Sequence, residues 1–132
     1  MSQPVTIGWS TTARDYRIKQ GAQGTIQIKL TVLQDDNTPL PSYDNFTGKF
    51  SLYTLNNKLI QEFTIANDTL EITPNAIENE VIYSIKFKSI NTSTYPAETD
   101  LLGDLKVILP DGIESQYPFQ IKLRVLKSFT VT

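Results

Sequence analysis

The side chains best placed to do chemistry in this sequence are carboxylates and aromatic rings, because histidine and cysteine are both absent. Without cysteine there is no disulfide, no thiolate nucleophile and no Cys-ligated metal. Without histidine a serine triad has no base, and the commonest zinc ligand is missing. Glu62, Glu71, Glu78, Glu80, Glu98 and Asp104 could in principle supply the two carboxylates that a glycosidase holds about 5–10 Å apart. Glu62 and Glu71, however, fall at polar positions of alternating segments, where the pattern turns them to solvent. Asp35-Asp36-Asn37 and Asp111-Gly112 offer hard oxygen ligands, but neither has the twelve-residue spacing and closing Glu of a calcium loop. They read as turn residues bonding their own backbone. The sequence has no phosphate-binding glycine loop, nucleophile elbow or HExxH pair. The expectation is a protein that is not an enzyme and uses no cofactor and no metal.

The rings point to contact rather than catalysis. Trp9, Tyr43, Tyr53, Tyr95 and Tyr117 fall in the N-terminal segment, in loops or near strand ends, and exposed rings anchor protein interfaces or stack on sugars. The competing reading is that Tyr53 and Tyr117 pad a sheet and Trp9 caps the core. The candidate contact residues are Trp9, Tyr43, Phe46, Tyr95 and Tyr117, and the segments expected to make contacts are the N-terminal arm, the loop 39–45 and the segment 89–102. Charge argues against nucleic acid. With 12 basic and 14 acidic residues in 132, the chain lacks the clustered cationic excess that phosphate backbones require. Its lysines and arginines are scattered singly along strands. No stretch reaches the ~18 apolar residues of a membrane span, and the N-terminal segment lacks the basic leader and apolar run of a secretory signal.

The elements that must position these residues repeat with period two. Tyr16 and Ile18, Ile26 to Val32, Phe46 to Leu52, Leu59 to Ile65, Leu70 and Ile72, Val81 to Phe87, Leu105 to Leu109, and Tyr117 to Val125 each alternate with polar neighbours, the mark of half-buried strands. Turn chemistry separates them at Asp35–Pro39, Asn56-Asn57, Asn67-Asp68 and Pro110-Asp111-Gly112. Pro74 is expected to stop its strand. A helical turn fits only within 89–102, where Pro96 suits a first helical position. Seven or eight short strands without a long amphipathic helix make an all-β antiparallel sandwich, with a small closed barrel as the competing architecture. One domain is expected, residues 13–132, preceded by an arm, residues 1–12.

The order of the segments also resembles a family. The chain runs Ile18-Lys19-Gln20-Gly21, then a long alternating strand from Thr25 to Leu33, then Asp36-Asn37-Thr38-Pro39-Leu40. Tyr43-Asp44-Asn45-Phe46-Thr47-Gly48 opens the next strand, and Thr99-Asp100-Leu101-Leu102-Gly103, Pro110-Asp111-Gly112 and a closing Phe129-Thr130-Val131-Thr132 follow late. In that order it is similar to short virion proteins of tailed bacteriophages and to the N-terminal domain of the upper baseplate proteins of lactococcal-type phages. It departs from them at Ala22-Gln23, where an acid is common, and at Leu105, where tyrosine is. The resemblance implies an immunoglobulin-like β-sandwich acting as a structural virion component of the tail, baseplate or neck, or as a decoration. Such a protein is assembled in the host cytoplasm and binds copies of itself or other phage proteins. The alternative function on the same sandwich is a carbohydrate-binding or adhesion module that takes a host glycan.

Overall fold

The computed structural model describes residues 5–110 and 119–128, and the chain is all-β. Nine strands are described: β1 Val5–Trp9, β2 Asp15–Lys19, β3 Gly24–Gln34, β4 Thr47–Thr54, β5 Leu59–Phe63, β6 Leu70–Asn75, β7 Glu80–Phe87, β8 Thr99–Ile108 and β9 Phe119–Leu126. They form a four-stranded sheet in the order β1-β3-β7-β6 and a five-stranded sheet in the order β2-β9-β8-β4-β5. All pairs are antiparallel except β2 with β9. The partition is that of an immunoglobulin sandwich, with first, second, fourth and fifth strands in one sheet and third, sixth and seventh in the other. Here β5 extends the second sheet on one side, and β2 joins it on the other.

Period two places the core. Ile28, Leu30 and Val32 of β3 and Val81, Tyr83 and Ile85 of β7 face Phe50, Leu52, Leu101, Leu105, Ile121 and Leu123 across the sandwich, all buried. Phe63 bridges the layers, its ring 5.4 Å from Phe50 and 5.0 Å from Phe87, both edge-on. Two glycines are dictated by close approach. A Cβ on Gly103 would lie 2.3 Å from the Phe50 ring, and one on Gly48 would lie 2.5 Å from the Lys106 carbonyl oxygen. The turns are made by Asn37, Asn57 and Asp68, each at positive φ, which short polar side chains tolerate.

Three expectations are corrected. Part of the expected arm is a strand: Val5–Trp9 pairs with β3 from Val5↔Gln34 to Trp9↔Leu30, so the described sandwich has nine strands. Pro74 does not stop β6, which continues to Asn75. The Lys86 N–H donates to the Thr69 carbonyl, and counting on from that bond turns the nitrogen of residue 74 toward the open edge, where no donor is needed. The helical turn is Ser89–Thr92 (α1), ahead of Pro96. Thr92 ties it down through a hydroxyl bond to the Ala22 carbonyl, 2.6 Å, and β8 has begun by Thr99. The Asp111-Gly112 turn, the start of the closing strand and residues 129–132 lie outside the described residues.

Candidate interaction face

Of the predicted contact rings, the structure buries three. Tyr43 and Phe46 are 4% exposed and Tyr95 2%, so none of them presents a ring to a partner. The Tyr43 hydroxyl donates to the Val32 carbonyl at 2.7 Å and accepts the Leu40 N–H, folding the 39–45 loop under itself. Tyr95 directs its hydroxyl to the Gln61 side chain, while its carbonyl accepts from the Gln20 amide at 2.7 Å. Trp9 is half-buried with its ring 4.9 Å from Phe119, and the Arg14 guanidinium lies 3.8 Å over that same Phe119 ring. Tyr117 lies outside the described residues. The four described rings therefore do not assemble into a surface. Among the described residues no buried side-chain polar atom lacks a partner, so these hydroxyls serve the fold.

Of the large apolar residues exposed among the described residues, Ile65, Ile77 and Ile90 lie in three separate connections between strands, whereas Leu55, Leu59 and Leu102 gather at the outer face of the five-stranded sheet. Inner positions of β8 are Leu101, Gly103, Leu105 and Val107, all buried, so Leu102, Asp104 and Lys106 point outward. On β4 the outward positions are Lys49, Ser51 and Tyr53. Register then lays out a row across the sheet: Leu59 beside Tyr53, Tyr53 beside Leu102, Leu102 beside Lys122, and Lys122 beside Asp15. Leu102 is 41% exposed, Leu59 47%, and Leu55, in the turn that joins β4 to β5, 62%. Directly opposed residues on one face have Cβ atoms about 5 Å apart, so Leu59, Tyr53 and Leu102 form one continuous apolar strip. Leu59 reaches this face because Ile60 is an extra residue. The register shifts between Leu52 and Tyr53, with Leu52 opposite Gln61 but Tyr53 opposite Leu59, the two-against-one count of a bulge.

Ion pairs border the strip. On one side Lys49 meets Glu62 at 3.5 Å. On the other, Arg124 forks between Glu98 and Asp100, both at 3.4 Å, and Lys122 reaches Asp15 at 3.9 Å. Glu98 holds the left-handed conformation, φ 54, which is costly for a residue without a short polar side chain. Two contacts hold it there: the Arg124 pair, and the Lys127 N–H, which donates to its carboxylate at 3.1 Å. An apolar centre with aromatic content inside a charged border has the composition of a protein contact patch. The six carboxylates singled out in the sequence are spread over both sheets, although Glu62 and Asp104 flank Ser51 in one row of this face. Glu62 and Glu98 stand on opposite borders of this face, and Glu71 pairs with Lys86 on the other sheet at 3.2 Å. No group of three or more acidic side chains placed to hold a metal occurs among the described residues.

Sequence alternation carried a signal for this face. Tyr53 and Leu102 are apolar residues in the polar phase of their strands. The position of Leu59 depends on the bulge, which no periodicity announces.

No protein-family model matches this sequence, and no curated protein matches it. Among solved structures the chain is similar to CopC from Methylosinus trichosporium OB3b, at 12% identity over 99% of this chain and 100% of that one, TM-score 0.40. It is similar to the sialic acid binding region of a Streptococcus sanguinis SK1 adhesin, at 12% identity over 95% of this chain and 30% of that one, TM-score 0.49. It is also similar to the Dpr1 IG1 domain bound to DIP-eta IG1, at 8% identity over 95% and 99% of the two chains, TM-score 0.39. At these identities the likeness is one of fold alone.

Proposed function

We propose that the chain acts by protein–protein contact and without catalysis, as a structural component of a tailed-bacteriophage virion, in the tail, baseplate or neck or as a decoration. The observation that carries the contact reading is the strip Leu59–Tyr53–Leu102 on a sheet face bordered by ion pairs. Burial of such a strip against a partner removes apolar surface from water, and tyrosine adds a rigid amphipathic anchor. The virion assignment is supported by the order of turn and strand segments shared with short tailed-phage virion proteins. Gly48 and Gly103, which belong to those segments, stand where neighbouring groups leave no room for a Cβ.

The test compares the chain with Leu102→Asp. The unaltered chain is expected to self-associate in sedimentation, or to bind other proteins of the particle, and to be found by mass spectrometry in purified particles of a phage that encodes it. Leu102→Asp should weaken that association at least about tenfold with its melting temperature unchanged. A chain that stays monomeric and is absent from particles overturns the proposal. So does saturable binding of a host polysaccharide that quenches Trp9 fluorescence, which would make the protein a carbohydrate module.

A further inference from the structure

The free edge of the five-stranded sheet carries an inference that does not depend on the contact strip. Among the described residues strand β2 pairs only with β9, in parallel. The Lys122 N–H donates to the Arg14 carbonyl at 2.7 Å, and the Gln20 N–H donates to the Leu126 carbonyl at 2.9 Å. In a parallel ladder the residues that bond the neighbour alternate. Tyr16 and Ile18 therefore turn their peptide groups to β9, while Asp15, Arg17 and Lys19 turn theirs to the open edge. Among the described residues only the Lys19 carbonyl on that edge has a backbone partner, the Ala22 N–H at 3.0 Å.

This edge differs from those of β5 and β6. The open side of β6 includes Pro74, and β5 carries the bulge at Ile60, two features that blunt an edge against pairing. Beside β2 there is instead a slot of about 330 Å³ between the two sheets. It is opened where β1 ends on β3 and the chain crosses to start β2. Half-buried Tyr16, Ile18 and Ile26 lie along it, with Gly24 and Ala22 adding little bulk. Its lining includes two cations, Arg17 and Lys19, and no acidic residue. Both cations are exposed, and neither has an ion pair among the described residues.

The geometry points to this edge as a strand-addition site for an extended segment of a partner protein that alternates apolar and acidic residues. Its backbone would pair with Arg17 and Lys19, its apolar side chains would enter the slot beside Ile18 and Ile26, and its carboxylates would meet the Arg17 and Lys19 side chains. A second copy of β2 is a poor occupant. Antiparallel pairing centred on Arg17 sets that residue against its own counterpart, and like charges directly opposed are destabilising. Sliding the register to oppose Arg17 with Asp15 sets Ile18 against Arg14, which is held over Phe119.

The probe is an acetylated, amidated peptide of about six residues alternating valine and glutamate, long enough to span β2 at ~3.3 Å per residue, titrated into the isotope-labelled chain. Saturable binding is expected, with the Arg17 and Lys19 amides shifting and gaining protection from hydrogen exchange. A valine–lysine peptide and the variant Arg17→Glu/Lys19→Glu should each bind at least about tenfold more weakly. The glutamate peptide N-methylated on the positions that face the edge should lose binding to the unaltered chain, whatever the stability of the variant. Leu102→Asp should bind the peptide normally, which separates this site from the contact strip. Equal binding of the two peptides, indifference to N-methylation, or no response at the Arg17 and Lys19 amides overturns the inference. Protection of those amides by dimerisation of the chain alone also overturns it, because the edge would then belong to a second copy.

Discussion

The two sheets turn different outer faces to solvent. On the four-stranded sheet the outward positions of β3 are Thr25, Gln27, Lys29 and Thr31, and register sets them beside Lys86, Ser84, Ile82 and Glu80 of β7. Glu71 and Thr73 of β6 complete it. Among the described side chains that surface is polar except for half-buried Ile82 and, further along β3 in the same phase, half-buried Leu33. The five-stranded sheet has the same alternation and the same strand chemistry, yet it places Leu59, Tyr53 and Leu102 in one row. A solvated face needs only to avoid aggregation, and polar residues at every outward position achieve that. Three adjacent apolar residues on an outward phase do the opposite. Under the contact proposed above, a partner covers them.

The largest effect that separates the sheets lies beneath their faces. Gly103→Ala would drive a methyl into Phe50, 2.3 Å from the nearest ring carbon, and nothing on the inner side can retreat because Phe50 is itself held against Phe63. Overpacking of this kind is expected to destabilise the fold by about 2–3 kcal/mol. Gly8→Ala, on β1 of the other sheet, meets no atom within 4 Å and should change stability by less than about 0.5 kcal/mol. Urea midpoints of the two variants measure the difference, and equal midpoints would remove the claim that the five-stranded sheet is the more tightly constrained layer.

Much of this contrast is legible in the sequence, because burial follows parity along a strand. The parity that sends Leu105 and Val107 inward also sends Leu102 outward, and the turns at Asn57 and Asp68 sit where Asx residues announce them. What the pattern leaves open has two physical causes. Register between distant strands is a tertiary choice, so neither the pairing of Val5–Trp9 with β3 nor the parallel pairing of β2 with β9 can be read from local alternation. Loop rings are the second cause. Tyr43 and Tyr95 look available from their turn-rich surroundings, but each hydroxyl finds a bond inside the fold, and the ring is drawn in with it. The bulge at Ile60 adds a smaller correction, changing the face on which Leu59 emerges.

An intermediate effect tests what joins the two layers. Tyr83 lies on β7 of the four-stranded sheet, and its hydroxyl donates to the Thr47 carbonyl of the five-stranded sheet at 2.7 Å. Tyr83→Phe leaves that carbonyl without its donor and should cost about 1 kcal/mol. Burial also raises the pKa values of Tyr83 and Tyr95 well above the ordinary value of 10.0. In both cases desolvation of the phenolate is the cause. The folded chain keeps these protons at a pH where the unfolded chain releases them. Stability is therefore full below about pH 10 and falls as pH rises beyond it. Urea midpoints should decline on that alkaline limb together with the appearance of tyrosinate absorbance, and the decline should be shallower in Tyr83→Phe, which has lost one of the two groups. A midpoint that stays level across the limb would contradict the burial of both hydroxyls.

The smallest effect compares the best-connected cation of each outer face. Arg124 reaches Glu98 and Asp100 at 3.4 Å each, and Lys86 reaches Glu71 at 3.2 Å and Asp68 at 3.9 Å. Both side chains are more than one-third exposed, so water and salt screen them, and neither pair is worth more than about 1 kcal/mol. The two should still differ. A planar guanidinium holds two carboxylates in fixed directions, whereas an ammonium on a flexible stem does not. Arg124 also restrains Glu98 in its left-handed conformation, so Arg124→Ala releases a strained residue at the start of β8 as well as an ion pair. Arg124→Ala is expected to cost about 0.5–1 kcal/mol at low salt and Lys86→Ala about half of that, both shrinking as salt is added. Adding Glu98→Gly to Arg124→Ala should restore part of the loss, because glycine adopts positive φ without strain. A double variant no more stable than Arg124→Ala would show that relief of the left-handed strain does not outweigh the loss of the Lys127 N–H bond to the Glu98 carboxylate.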